Sequence, residues 1–184
     1  MIYRLIDIFV SFWALLVLSP VMTIIFITGL FDTGSPLFRQ ERIGRNEKPF
    51  TLVKFRTMQN GTVSVASHLC DASAITSFGQ FLRKTKLDEL PQLWNVLKGE
   101  MSLVGPRPGL FNQLKLKDAR KHHNVFVVRP GITGLAQIKN IDMSTPELLA
   151  ETDAKMIKDM SVFSYFKYIV MTVFGKGQGD AANR

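Results

Sequence analysis

Thiol ligands are almost missing from this chain, which has one cysteine, Cys70, among 184 residues. A lone thiol excludes an internal disulfide and an all-cysteine metal site, and in a reducing cytoplasm it is inert. Histidine is equally scarce, with His68, His122 and His123 only. His68 and Asp71 have no second histidine nearby, and adjacent His122 and His123 point apart on a helix, so neither place predicts a metal centre. No internal repeat, domain linker or nucleic-acid motif appears, and nucleic acid is not an expected partner. Acidic residues are in deficit, 15 against 23 lysines and arginines, for a net charge of +8. That excess predicts an anionic partner, either lipid head groups or a phosphorylated substrate.

Charge is also absent from one long segment, Ile8 to Phe31, over 24 positions. At ~1.5 Å rise per residue such a helix is long enough for a bilayer. It is too long for a signal-peptide core and lacks a small-residue cleavage site, so membrane attachment is expected. Ser19-Pro20 sits at its middle. Proline removes one helical hydrogen bond and frees the carbonyl of Leu16, a loss the Ser19 hydroxyl can repair in lipid. Arg4 lies before the run, and Arg39, Arg42, Arg45 and Lys48 lie after it. Cations on both flanks fit a bent, re-entrant helix with both ends on the cytoplasmic face, with a kinked span as the alternative.

Beyond the turn cluster Asp32-Thr33-Gly34-Ser35-Pro36, residues Leu37–Ile43 and Pro49–Phe55 read as a β-hairpin. Lys54 and Arg56 fall on one face of its second strand. Gln59 to Thr76 reads as a loop, and Ser77 to Lys84 as a helix. In Lys86-Leu87-Asp88-Glu89-Leu90-Pro91, proline in a first turn and Gly99 past the end predict a helix starting near Asp88. Leu90, Leu93, Trp94 and Leu97 would form its apolar face. Asp88 then reads either as an N-cap or as an ionised carboxylate in a positive field set by the helix start, Arg83, Lys84 and Lys86. Gly105-Pro106-Arg107-Pro108-Gly109 is a rigid turn presenting one guanidinium suited to phosphate. Val125 to Val128 reads as a strand, and Arg129-Pro130-Gly131-Ile132-Thr133-Gly134 as a glycine loop that lets backbone approach a ligand. Glu147 to Phe174 reads as helical, lying at a membrane surface or in the core.

In this order, six elements resemble the small monotopic phosphoglycosyl transferases, the bacterial sugar transferases that begin lipid-linked glycan assembly. They are Ser19-Pro20, Phe38 to Gly44, Lys54 to Met58, Leu87 to Gln92, Ser102 to Pro108 and Pro130 to Gly134. The resemblance implies an α+β, helix-rich fold: a re-entrant N-terminal helix hairpin over residues 1–34, a small cytosolic catalytic domain over 35–174 and a flexible tail over 175–184. It implies transfer of a sugar 1-phosphate from a UDP-sugar to polyprenyl phosphate, releasing UMP, on the cytoplasmic face of the bacterial inner membrane. Asp88 would be the nucleophile, forming an aspartyl-phosphosugar intermediate, and Glu89 its partner in holding Mg²⁺. Lys54, Arg56, Arg83, Arg107, Pro130, Gly131 and Thr133 would bind substrate. Two rival readings are a membrane-associated glycosyltransferase releasing UDP and a non-enzymatic module for anionic lipid. The chain departs from the family at Lys139-Asn140-Ile141, where an Asn-Gly-Arg element is usual, and around Asp153 to Ile157, so sugar identity stays open.

Overall fold

A computed structural model describes residues 2–62 and 72–175. His68, Cys70, Asp71 and most of the 175–184 tail lie outside the described residues. The order is helix α1 (Ile2–Thr33), strands β1 (Leu37–Ile43) and β2 (Pro49–Phe55), helices α2 (Ser77–Thr85) and α3 (Gln92–Lys98), strand β3 (Ser102–Val104), and helix α4 (Leu114–His122). Strand β4 (Gly131–Thr133) and helices α5 (Leu135–Ile138), α6 (Pro146–Lys158) and α7 (Val162–Val173) follow. The fold is α+β and rich in helix.

Helix α1 is one helical element of 32 residues that runs through Pro20, where a helix hairpin was expected. Ser19 Oγ donates to the Leu16 carbonyl at 2.8 Å, the repair the proline calls for, and Thr23 Oγ1 donates to the Ser19 carbonyl at 2.9 Å. Only Asp7, Ser11, Ile25 and Gly29 of α1 are buried. These mark the stripe lying on the rest of the protein, whereas Phe9, Phe12, Trp13, Val17, Ile24 and Phe31 are exposed.

The helix is fastened at both ends to the same body. Near its start, Arg4 donates to the carbonyls of Val96 and Leu97 at the end of α3. The Asp7 carboxylate accepts from Ser102 Oγ, from Leu103 N–H at 2.8 Å and from the Tyr165 hydroxyl, joining α1 to β3 and α7. Burial and the neighbouring Asp7 push the Tyr165 hydroxyl far up, so it stays a donor. Further along, Ile25 packs with Phe55 and Leu82, and Gly29 lies against Pro36. At the end, Thr76 Oγ1 donates to Asp32 at 2.7 Å and Asn60 Nδ2 donates to the Thr33 carbonyl.

The hairpin has the bounds read from sequence, with Leu37 opposite Phe55 and Ile43 opposite Pro49. On the outer edge of β2 one side chain of α3 takes up two backbone groups: Asn95 Oδ1 accepts from Val53 N–H at 3.1 Å, and Asn95 Nδ2 donates to the Thr51 carbonyl at 2.7 Å. The core gathers Phe50, Leu52, Leu93, Val96, Met101, Leu103, Val104, Met156 and Tyr165.

Four local readings are corrected. Val125–Val127 is a 3-10 turn rather than a strand. Gly131–Thr133, read as a loop, is a strand paired parallel with Ser102–Val104. The glycines there serve backbone-to-backbone approach: a Cβ on Gly131 would stand 2.0 Å from the Gly105 nitrogen. The helix read over Glu147 to Phe174 is two helices, because Ser161 starts α7 with a reciprocal capping box to Ser164. The two halves differ in burial. Helix α6 buries Leu149, Ala150, Asp153 and Met156, whereas α7 buries only Tyr165 and exposes Phe163, Val170 and Val173. Finally, Trp94 does not share the buried face of α3. That face is Gln92, Leu93, Asn95 and Val96, because α3 is packed from two sides, and Trp94 turns toward a cavity beside α1.

Candidate functional site

Asp88 and Glu89 are placed by a chain reversal. Helix α2 ends at Lys86, whose backbone is left-handed with φ 58°. A non-glycine residue there is strained by ~1–2 kcal/mol, a cost tolerated when it aims the chain. The next three residues, Leu87–Glu89, form a 3-10 turn closed by bonds from Glu89 N–H to the Lys86 carbonyl and from Leu90 N–H to the Leu87 carbonyl, each 3.3 Å. Both carboxylates are buried, Asp88 at 2% exposure and Glu89 at 8%. Helix α3 begins only at Gln92, with Pro91 as its N-cap. Asp88 is therefore not an N-cap. The field of a seven-residue helix four positions away is a lesser influence than the side chains around it.

Arg107 is held by its loop. The carbonyls of four consecutive residues are each taken from elsewhere in the fold. The Pro106 carbonyl accepts from Gly131 N–H at 2.9 Å and the Gly109 carbonyl from Ile43 N–H at 3.0 Å. The Arg107 carbonyl accepts from Arg120 Nη1 at 2.7 Å, and the Pro108 carbonyl from Arg42 Nη1 at 3.1 Å. The two prolines remove the N–H groups that would compete. The Arg107 guanidinium then meets Glu89 Oε1 at 3.2 Å. Behind it, Arg120 and Asp153 form a fully buried pair, with Nη2 at 2.7 Å and Nε at 3.1 Å from Asp153 Oδ2. Burial raises the Asp153 carboxyl against the pull of Arg120.

A small pocket opens beside this centre, lined by Arg42, Lys54, Gln92, Arg107, Pro108 and Gly131. Of the residues read from sequence, Lys54, Arg107 and Gly131 line it, and Glu89 joins through Arg107. Lys54 and Arg56 do share a strand face, each 5.6 Å from the Phe38 ring. Arg56, however, is engaged in backbone, donating to the Ser35 carbonyl at 2.8 Å. Arg83 donates to Thr57 Oγ1 at 2.9 Å. The Thr133 hydroxyl is paired with that of Thr172, and the Pro130 carbonyl accepts from Ser102 N–H. Ser19 and Pro20 lie on α1, with Ser19 facing the cavity beside Trp94.

Arg42, Gln92, Arg120 and Asp153 were not singled out as site residues. Arg42 and Gln92 stood inside quoted motifs, but the meeting of Arg120 with Asp153 spans 33 residues and leaves no local signal. Lys86 belongs here too: burial lowers its titration, Glu89 opposes and Arg107 reinforces that shift.

For a divalent cation the donor set is the two adjacent carboxylates, and no cluster of three or more His, Cys, Asp or Glu occurs among the described residues. That set fits Mg²⁺, which typically takes one or two carboxylates and completes its shell with water and substrate phosphate.

The sequence profile described as bacterial sugar transferase matches residues 1–177. The chain is 41% identical over 174 residues to the uncharacterized sugar transferase EpsL of Bacillus subtilis (strain 168), covering 92% of this chain and 84% of that one. It is 36% identical to the exopolysaccharide production protein PSS of Rhizobium leguminosarum bv. phaseoli, covering 91% and 88%. It is 39% identical over 183 residues to the UDP-glucose:undecaprenyl-phosphate glucose-1-phosphate transferase of Klebsiella pneumoniae, covering 93% of this chain but 39% of that relative. The chain thus spans most of some relatives and about a third to two fifths of others.

Proposed function

The chain belongs to the bacterial sugar transferase family and is a phosphoglycosyl transferase, and from that premise we propose that it moves a sugar 1-phosphate from a UDP-sugar to polyprenyl phosphate, releasing UMP. The observation that carries this reading is the buried Asp88-Glu89 pair, fixed in a turn, with Glu89 bonded to an Arg107 whose own loop is locked. An ionised Asp88 attacks the sugar-bearing phosphorus. A bond forms from its carboxylate oxygen to phosphorus, the bond to the UMP oxygen breaks, and UMP leaves with the electron pair. An oxygen of the lipid phosphate then attacks the same phosphorus and releases Asp88. Arg107 and Lys54 offset the negative charge gathered at the phosphates, with Arg42 beside them. Asp88 and Glu89 would hold Mg²⁺, which supplies further charge neutralisation when bound. A panel of UDP-sugars with polyprenyl phosphate, scored for nucleotide product, tests the reading. UMP is expected; UDP as the product returns the chain to ordinary glycosyl transfer.

The membrane reading rests on how α1 is fastened. A straight helix of this length reaches ~48 Å, beyond the ~30 Å hydrocarbon core. Its two ends are bonded to one body, through Arg4 and Asp7 at the start and Asp32 and Thr33 at the finish. Ends held that way favour a helix that keeps both termini on one side of a bilayer, and we propose that this side is the cytoplasmic face of the bacterial inner membrane, with the exposed faces of α1 and α7 against lipid. Single cysteines at residue 2 and at Asp32, in a Cys70→Ser background, should both label from the cytoplasmic side. Labelling of the residue-2 cysteine from the opposite side sinks the re-entrant path.

A further inference from the structure

Apart from the Asp88 centre, three more guanidiniums converge on one cavity. Arg4, Arg45 and Arg129 line a space of about 280 Å³, together with Tyr3, Asp7 and Met160. Each is anchored on main-chain carbonyls. Arg4 donates to Leu97 at 2.9 Å, Arg129 Nε to Gly99 at 2.7 Å and Arg45 Nε to Val127 at 2.9 Å. The carbonyl end of α3 accounts for a cation at Arg4 or Arg129. It does not account for a third at Arg45. Nor does it use the outer edges of these groups: among the described residues, the Nη atoms of Arg45 and Arg129 take no protein partner.

The charge in this cavity is unbalanced. Its one carboxylate, Asp7, is already bonded to Ser102, Leu103 N–H and Tyr165. Arg129 titrates below an ordinary arginine, through burial first and then through repulsion by Arg4 and Arg45. Three cations held in a concavity favour a doubly accepting anion, and guanidinium forks match phosphate oxygens. Apart from Ser102 and Tyr165, which are bonded to Asp7, the remaining side chains of the wall are apolar, with Val104, Val127 and Met156 beside Tyr3 and Met160. Next to them in sequence are exposed apolar side chains on two helices, Ile2 and Leu5 of α1 and Val162 and Phe163 of α7. A ligand here meets cations on one side and apolar surface on the other, which is the chemistry of an amphiphile.

We propose that Arg4, Arg45 and Arg129 form a second phosphate site, separate from the Asp88 centre, which holds the phosphate of a membrane phospholipid head group. The site goes beyond the transfer reaction, and its occupancy is read without turnover.

The test compares wild type with an Arg45→Gln/Arg129→Gln variant in neutral detergent, supplied with phosphatidylglycerol and phosphatidylcholine and analysed for retained lipid by native mass spectrometry. Wild type should retain phosphatidylglycerol in preference, and the variant should lose ~10-fold or more of that retention. Thermal unfolding of both reports folding. If the double variant does not fold, Arg45→Gln alone carries the test, since that side chain is exposed and makes one bond. Equal retention in wild type and variant overturns the site. Binding of inorganic phosphate by wild type without preference for phosphatidylglycerol overturns the lipid assignment and leaves a site for free phosphate. In parallel UMP-release assays an unchanged KM for the UDP-sugar supports a separate site. A raised KM places these arginines in the reacting pocket and overturns the separation.

Discussion

Two groups of arginines in this protein are neutralised in different ways. In the group around the Asp88 turn, Arg107 meets Glu89 and Arg120 meets Asp153, so the guanidiniums have carboxylate partners within the fold. In the group at the start of α1, Arg4, Arg45 and Arg129 meet only carbonyl oxygens. Pairing with a carboxylate gives direction, because both partners must keep one geometry for the bond to last. Anchoring on carbonyls gives position but leaves the charge unanswered. The first arrangement suits a site that must hold reacting atoms in line, and the second suits one that must attract a charge from outside.

The sharpest way to break the contrast is at the carboxylate itself. Asp88→Asn keeps the size of the side chain but cannot attack phosphorus. Turnover should disappear while thermal unfolding stays near wild type, and wild type given UDP-sugar alone should carry sugar phosphate on Asp88 by mass analysis. Full activity in the variant removes Asp88 from the chemistry. Arg107→Lys comes next. It keeps the charge but not the fork, and most activity should be lost; wild-type kinetics would make Arg107 an ordinary loop residue.

Asp153→Asn tests whether the buried pair behind Arg107 works through direction. Removing one partner of such a pair typically costs about 3–5 kcal/mol, because the other is left buried and unpaired. Denaturant unfolding should show a loss of that order. A double replacement, Asp153→Leu with Arg120→Met, should recover much of the stability. It should not recover kcat/KM, since the Arg107 carbonyl has then lost its donor. Recovery of both would show that the pair serves stability alone.

The smallest effect lies in alkaline solution. The folded protein lowers the Lys86 titration below 10.5, so the uncharged form is favoured by folding. As pH rises from the folded value toward 10.5, wild type should gain stability relative to Lys86→Gln. The opposite slope would mean that the Glu89 attraction outweighs burial and Arg107.

Much of the fold was legible in sequence because its signals are local. The hairpin is bounded by the turn cluster at 32–36 and by the turn residues between its strands, and its bounds agree with the expected ones. The apolar run and the Ser19 repair of Leu16 were readable for the same reason. Of the candidate site, the Asp88-Glu89 pair and the Arg107 turn stood out. Their setting did not. The 3-10 turn at Asp88 depends on a left-handed Lys86, which no residue type at that position announces. The three-residue pairing of β3 with β4 exists because Gly105 and Gly131 permit contact between distant backbones. Asp7, just before the apolar run, drew no reading from sequence, and it is bonded to residues 95 and 158 positions away. Pairings across such spans are decided by tertiary packing, where the sequence pattern carries little.

Asn95 has a consequence of a different kind. A two-stranded sheet leaves an open flank, and an open flank is where chains join one another into larger aggregates. In this protein one amide stands in for a missing strand, satisfying Val53 N–H and the Thr51 carbonyl together. An unguarded flank of β2 would offer the Val53 N–H and the Thr51 carbonyl to a strand of a second copy. By taking up both groups, Asn95 removes that handle for strand addition from the β2 flank.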